Sequence, residues 1–174
     1  MRALGPGSIS SFLKFVLDVV YAVLCIGVAG SAVLVVAALL LSFNPALLDR
    51  LAGDEAVQIL VRGPVLAGGL IAGGLSMAAV LVIVDRLRRI FLTLTAGDPF
   101  HPDNVLRLRV IGLMLEGLEL LQYIVWALGP HLPGIVKVKR ELSLTAWFSV
   151  LVVFVLAEVF REGARLRREA ELTI

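Results

Sequence analysis

The sequence predicts an all-α integral membrane protein, a bundle of four transmembrane helices with both chain ends in the cytoplasm. Of its 174 residues, 59% are apolar and 17% are charged, and the mean hydropathy is +0.97. A soluble domain is about half apolar and a quarter charged. The apolar residues are also gathered in four blocks, each long enough for the ~20 residues with which a helix crosses hydrocarbon. The third observation, the distribution of lysine and arginine, predicts the orientation.

The four blocks define the predicted spans. Each must be helical, because hydrocarbon offers no hydrogen-bond partner to an exposed backbone amide. They cover approximately residues 15–42, 64–86, 105–128 and 142–160, within one membrane domain that comprises residues 1–174. Pro64 is expected near the start of the second helix, where proline is favoured.

Small residues mark the second span. Two glycine pairs, Gly68-Gly69 and Gly73-Gly74, lie in it. Gly69 and Gly73 have the spacing that lets membrane helices approach closely, and we expect them to pack within the same bundle.

Basic residues are distributed unevenly between the two sides of the predicted bundle. The N-terminus, the middle connection and the C-terminal tail together hold eleven lysines and arginines, whereas the other two connections hold five. Short cytoplasmic segments carry the excess of such residues in membrane proteins. We therefore expect a multi-pass protein of the inner (plasma) membrane, oriented N-in and C-in.

The second and fourth helices are expected to continue into the cytoplasm. After Asp85 the chain has no helix breaker until Gly97, and apolar residues recur there at helical spacing, with arginines on another face: Leu87, Ile90, Phe91 and Leu94 against Arg86 and Arg89. The tail alternates charge at helical spacing and retains aliphatic residues to its end. Asp103 or Asn104 is expected to be the N-cap of the third helix, because a side-chain oxygen there can accept a first-turn amide.

The charged residues on this side have two interpretations. They could only fix topology and bind anionic headgroups, at about 1 kcal/mol for each basic residue. They could instead form a docking surface for a cytoplasmic protein. The candidate interaction residues are Arg86, Arg88, Arg89, Asp98, Phe100, Arg107, Arg109, Arg161, Arg165, Arg167 and Arg168.

Several segments resemble one bacterial family of four-span membrane proteins, domain of unknown function 2975. The segments are Leu87-Arg-Arg-Ile-Phe91, Gly97-Asp-Pro-Phe100, Asn104 to Arg109 with Ile111-Gly112, Ala157 to Leu166, and Glu171 to Ile174. The resemblance covers most of the chain from the second span onward. It implies a four-helix membrane fold and, because members often occur beside small helix-turn-helix regulators, a cytoplasmic transcription regulator as partner. It implies no catalytic residues.

Polar residues inside the third span form a second candidate site. Glu116 and Glu119 share one helix face with Gln122 and Tyr123. Carboxylates within a membrane are costly and usually face a bundle interior or a water-filled cavity. One interpretation is structural, with hydrogen bonds to polar groups such as Ser31, Ser76 and Thr145. The other is a site that binds a cation or responds to protons.

The sequence offers little for catalysis or cofactor binding. Its two histidines, His101 and His131, are predicted on opposite sides of the membrane, and Cys25 is the single cysteine. We find no phosphate-binding loop and no nucleophile motif. We expect no enzyme activity, no metal, no cofactor and no direct binding of nucleic acid.

These observations rank three functions. The first is a non-enzymatic regulatory or signalling protein that binds a cytoplasmic partner through residues 86–103 and the tail. The alternative is a small proton- or cation-coupled transport or channel module that uses Glu116 and Glu119. Four short spans make a narrow pathway, so transport would need a homo-oligomer. The third is a structural subunit of a larger membrane complex.

Overall fold

A computed structural model describes residues 9–43, 56–129 and 143–172, with side chains for residues 12–40, 67–129, 143–170 and 172. This part of the chain contains four long helices and no strand: α1 (Ile9–Phe43), α2 (Ala56–Thr95), α3 (Pro102–Leu128) and α4 (Leu144–Glu171). Each helix is long and apolar enough to cross a membrane. The predicted all-α fold with four membrane helices is therefore confirmed, and the protein is a multi-pass membrane protein.

Helix α2 begins earlier than the sequence predicted. It starts at Ala56, so Pro64 lies in its third turn instead of near its first residue. Residues 56–62 contain no glycine or proline, and a proline removes only one backbone donor. Membrane helices tolerate this loss where local adjustments or neighbouring groups bond the freed carbonyl. At its other end α2 continues without a break from Asp85 to Thr95, which confirms the helical extension.

The apolar residues predicted to share one face of this extension are not equally buried. Ile90 is buried, but Leu87 and Leu94 are exposed. Residues three and four apart share a helix face, so Arg86 lies on the same face as Ile83 and Ile90. Helical spacing grouped Ile90 with the leucines but did not show which of these residues would be buried. Contact with the neighbouring helices selects the isoleucine face.

Residues 96–101, here called the connector, turn the chain between α2 and α3. Gly97 has a φ of +83°, a left-handed conformation that glycine adopts without steric cost. The predicted N-cap of α3 was wrong, because the helix begins at Pro102. His101 precedes it, and its Nδ1 accepts the Asp103 amide at 3.2 Å. Proline fits the first position of a helix, where no amide donor is needed. The Asn104 side chain is therefore not used as a helix cap and can bond other elements.

Helix α4 is continuous through the predicted span and tail. Ser143 caps its start, and the Ser143 hydroxyl oxygen accepts the Ala146 amide at 3.2 Å. The helix passes Gly163 without interruption and ends at Glu171. At 1.5 Å per residue its 28 residues extend about 42 Å, beyond the ~30 Å of a hydrocarbon core. The predicted helical extension of the fourth span is confirmed.

The chain forms two compact units. The first, here called the charged unit, comprises the described residues within 1–24, 79–119 and 142–174. Its core consists of Ile90, Leu108, Ile111 and Ala157, with partly buried Ile83, Leu115, Val153 and Phe160 packed against it. Gly112 allows α3 and α4 to approach, since a Cβ there would lie 3.0 Å from the Phe154 ring. All charged side chains that the structure describes lie in this unit.

The second unit comprises the described residues within 25–78 and 120–141. In it α1 and α2 approach through small residues: a Cβ on Gly74 would lie 3.0 Å from Ser31 Oγ, and one on Gly27 would lie 3.2 Å from Met77. Gly69 and Gly73 have no described heavy atom within 4 Å of a built Cβ. The prediction that this pair packs within the bundle is therefore wrong for the described residues, because another face of α2 makes the contact.

Candidate functional site

The charged unit is organised around Asn104, which is fully buried at 0% exposure. Its Nδ2 donates to Thr93 Oγ1 at 2.7 Å and to the Pro99 carbonyl at 3.0 Å. Its Oδ1 accepts Arg107 Nη1 at 2.9 Å, and the Thr93 hydroxyl donates to the Ile90 carbonyl at 2.7 Å. Buried polar groups are stable only when bonded in this way. Asn104 thus fixes the end of α2, the connector and the start of α3 to one another.

Arg107 adds a second tie between α2 and α3. Its Nη1 also donates to the Arg89 carbonyl at 3.1 Å, and its Nη2 lies 3.6 Å from Asp103 Oδ2. This arginine was predicted to bind a partner. In the structure its guanidinium is engaged by groups of its own chain.

The connector also contacts α4. The Phe100 ring packs against Phe160, with centroids 5.6 Å apart and planes inclined by 54°. Gly163 lies directly under this ring, because a Cβ there would be only 2.5 Å from Phe100 Cδ1. Asp98 forms an ion pair with Arg167. These four residues, Asp98, Phe100, Gly163 and Arg167, are here called the connector–α4 contact.

Helix α1 is joined to α2 by Arg88. Its Nη2 lies 2.6 Å from Asp18 Oδ1, and its guanidinium carbon lies 4.5 Å from the centre of the Tyr21 ring. Such a cation–π contact adds about 0.5–1 kcal/mol at an exposed site. Arg88 is therefore a structural residue of the charged unit.

Two carboxylates of the unit are each shared by two arginines. Asp85 Oδ2 lies 2.9 Å from Arg89 Nε and 3.8 Å from Arg86 Nη1. Glu158 pairs closely with Arg161, and its other oxygen lies 4.0 Å from Arg109 Nη2. Each group has one more positive than negative charge.

The outer face of the α4 tail carries the remaining predicted interaction residues. Among the described residues, Arg165 pairs only within its own helix, with Glu162 at 2.8 Å and Glu169 at 3.4 Å. Arg168 forms no ion pair with a side chain that the structure describes. Leu166 and Leu172 are exposed, the latter at 83%. The shallow depression along this face is lined by α4 alone, so it is an open surface.

The polar residues predicted as a second site inside the third span all lie on α3. Glu116, Glu119 and Tyr123 are partly buried and Gln122 is exposed. Glu119 and Tyr123 each interact with other residues. Among the described residues, no group of three or more histidine, cysteine, aspartate or glutamate side chains could hold a metal ion. Whether these glutamates bind cations stays a prediction.

Two of the three suggested structural partners of these glutamates, Ser31 and Ser76, use their hydroxyl protons elsewhere. Ser31 donates to the Val28 carbonyl at 2.8 Å, and Ser76 donates to the Ala72 carbonyl at 2.9 Å. Each bond lies within the serine's own helix, a common way to satisfy a hydroxyl in a membrane helix. His131 and residues 137–140 lie outside the described residues.

The structure thus divides the predicted interaction residues. Arg88, Asp98, Phe100, Arg107 and Arg167 hold the charged unit together, whereas Arg89 and the outer tail arginines lie on its surface and Arg86 is partly buried. Sequence reasoning missed the structural roles of Asn104, Thr93 and Gly163. The sequence did contain a signal for Asn104. The residue lies two positions after Pro102, a proline that can itself begin the helix.

Comparison with known proteins gives one match. A family model described as Protein of unknown function (DUF2975) matches residues 19–174. No curated protein and no solved structure matches the chain. The matched residues include Asn104, the connector and the tail. Because the match covers most of its length, the chain belongs to the family Protein of unknown function (DUF2975).

Proposed function

We propose that the protein is a non-enzymatic regulatory protein of the bacterial inner membrane, oriented N-in and C-in, which binds a cytoplasmic protein through its α4 tail. The observation that carries the proposal is the tail itself. It extends beyond the length needed to cross hydrocarbon, and it exposes Leu166 and Leu172 among charged residues. Fully burying a leucine contributes about 1.5–3 kcal/mol, so a partner that covered both would gain substantial affinity.

The connector–α4 contact supports this role of the tail. Phe100 and Asp98 hold α4 at Gly163 and Arg167, on either side of Arg165. A surface that is already ordered loses less conformational entropy when a partner binds. The tail is therefore suited to present a fixed helical face.

Charge balance favours a protein as the partner over nucleic acid. Residues 158–172 contain four arginines and four glutamates. A nucleic-acid site carries a basic patch without this compensation. The resemblance implies a helix-turn-helix regulator, and we propose that class as the partner.

The test is co-purification after cross-linking in the native membrane. The tail variant is Arg165→Gln with Arg168→Gln, because among the described residues neither side chain forms an ion pair with another helix. The matched control is Lys137→Gln with Arg140→Gln, which removes the same charge from the connection predicted on the other side of the membrane.

The expected result is a helix-turn-helix protein that co-purifies with the unmodified chain and the control. With the tail variant its recovery should fall at least about tenfold, which corresponds to 1.4 kcal/mol of binding free energy. Equal recovery with the tail variant, or no soluble protein with the unmodified chain, would contradict the proposal.

A further inference from the structure

In the cluster of Asp85, Arg86 and Arg89, one hydrogen-bond donor, the Arg86 guanidinium, has no acceptor among the described residues. Asp85 Oδ2 accepts Arg89 Nε at 2.9 Å, but Arg86 Nη1 is 3.8 Å away from the same oxygen, too far for a hydrogen bond. No described residue accepts a hydrogen bond from the Arg86 guanidinium. The cluster keeps a net charge of +1, and one guanidinium lacks a short contact.

The Arg86 side chain is partly exposed. Its Nε is covered and has no hydrogen-bond partner, while 36% of the side chain remains exposed. A guanidinium has five donors in a rigid planar fork, suited to two oxygens of a carboxylate or phosphate. With Nε covered, an incoming oxyanion would meet the two Nη atoms. Arg89 is 55% exposed and is held beside it by the shared carboxylate.

The location of the cluster indicates the source of the oxyanion. From Ala67 to Val84 helix α2 contains no charged residue, and Asp85 is the first. The charged triplet therefore lies at the boundary of an apolar span, at the depth of lipid headgroups. Basic residues there gain about 1 kcal/mol each from anionic lipid.

We propose that Arg86 and Arg89 form a binding site for the phosphate of an anionic phospholipid. Arg86 donates from its Nη atoms to phosphate oxygens, and Arg89 supplies the second positive charge while Asp85 holds it in place. The other arginines of α2 and α3 near this site are already engaged: Arg88 by Asp18 and Tyr21, and Arg107 by Asn104 and Asp103. The site does not depend on the proposed binding of a regulator, which uses the tail.

The experiment measures lipid binding to the full chain in a neutral detergent. Phosphatidylglycerol, phosphatidylcholine and inorganic phosphate are each titrated, and retained lipid is counted by native mass spectrometry, with thermal stability as a second readout. The site variant is Arg86→Gln with Arg89→Gln. The matched control, Arg165→Gln with Arg168→Gln, removes the same charge from the tail.

The expected result is retention of phosphatidylglycerol by the unmodified chain and the tail control, and at least about tenfold weaker retention by the site variant. Phosphatidylcholine should bind more weakly to all three. Arg86→Lys with Arg89→Lys, which keeps the charge but not the planar fork, should be intermediate.

Three outcomes would overturn the proposal, and the third applies if the double variant does not fold. One is equal retention of phosphatidylglycerol by the site variant and the unmodified chain. Another is full stabilisation by inorganic phosphate at the same concentration, which would identify a soluble ligand. If the double variant does not fold, lipid retention is measured with the single variant Arg89→Gln instead. This variant is expected to fold, because the exposed Arg89 side chain bonds only within α2. Unchanged retention in that variant would also overturn the proposal.

Discussion

At the scale of single residues, a buried asparagine decides how the charged unit is built. The sequence offers Asn104 as a helix cap, because asparagine is common there. In the structure the residue is fully buried and its amide bonds Thr93, Pro99 and Arg107. The nearby proline at position 102 already begins the helix, so the amide is available for contacts between elements. Local propensity could not reveal these contacts, because Thr93 is eleven residues away.

Asn104→Ala should destabilise the protein. It would leave the Pro99 carbonyl and Arg107 without their buried partner, and each such group costs about 1–3 kcal/mol. The measurement is the thermal unfolding temperature in detergent.

The control for Asn104 is Thr95→Ala. The Thr95 hydroxyl bonds only the Leu92 carbonyl of its own helix, at 3.0 Å, so its loss should have little effect. Equal unfolding temperatures for the two variants would show that the Asn104 bonds do not stabilise the unit.

At the scale of elements, the helices are long and continuous. The connector joins α2 to α3 and also contacts α4. Four spans and the helical extensions of α2 and α4 were predictable from apolar run length and from where glycine and proline occur. The start of α2 at Ala56 was not predictable, because Pro64 is tolerated inside the helix. The docking of the connector on α4 was not predictable either. It depends on Gly163, and helix propensity by itself gives glycine only a destabilising role in a helix.

Gly163→Ala should destabilise the connector–α4 contact, because the new methyl group would overlap the Phe100 ring at 2.5–2.6 Å. Overpacking of this kind typically costs about 1–3 kcal/mol. In a chain that also carries Phe100→Ala the same substitution should be nearly neutral, since the ring is absent. A double-mutant cycle on unfolding temperature measures this coupling.

Gly117→Ala is the matched control for Gly163, because no heavy atom lies within 4 Å of a Cβ at that position among the described residues. It should be neutral with either residue at position 100. If Gly163→Ala were equally damaging with and without the Phe100 ring, the contact would not be the cause.

At the scale of the whole molecule, the distribution of charge relates the fold to the membrane. The described charged side chains all lie in one unit, while the exposed side chains along the spans are mainly apolar. The N-in and C-in orientation rests on the excess of lysine and arginine on the side of the chain termini. It is a proposal that labelling can test.

The orientation predicts which cysteines can be labelled from outside the cell. In a Cys25→Ser background, which has no other cysteine, Leu172→Cys should react with an impermeant thiol reagent only after the membrane is opened. Lys137→Cys should react in intact spheroplasts. The opposite pattern would reverse the orientation and place the proposed docking tail outside the cytoplasm.

The sequence by itself determined the class of protein, the number of membrane helices and the side on which charge is concentrated. These features follow from local composition against the solvent, because any apolar run of sufficient length must be helical in hydrocarbon. Tertiary structure alone decided which arginines are structural and which remain on the surface. Asp98 and Arg167 are 69 residues apart, and Asp18 and Arg88 lie on different helices. Such pairs depend on the relative rotation and depth of packed helices, which composition does not specify.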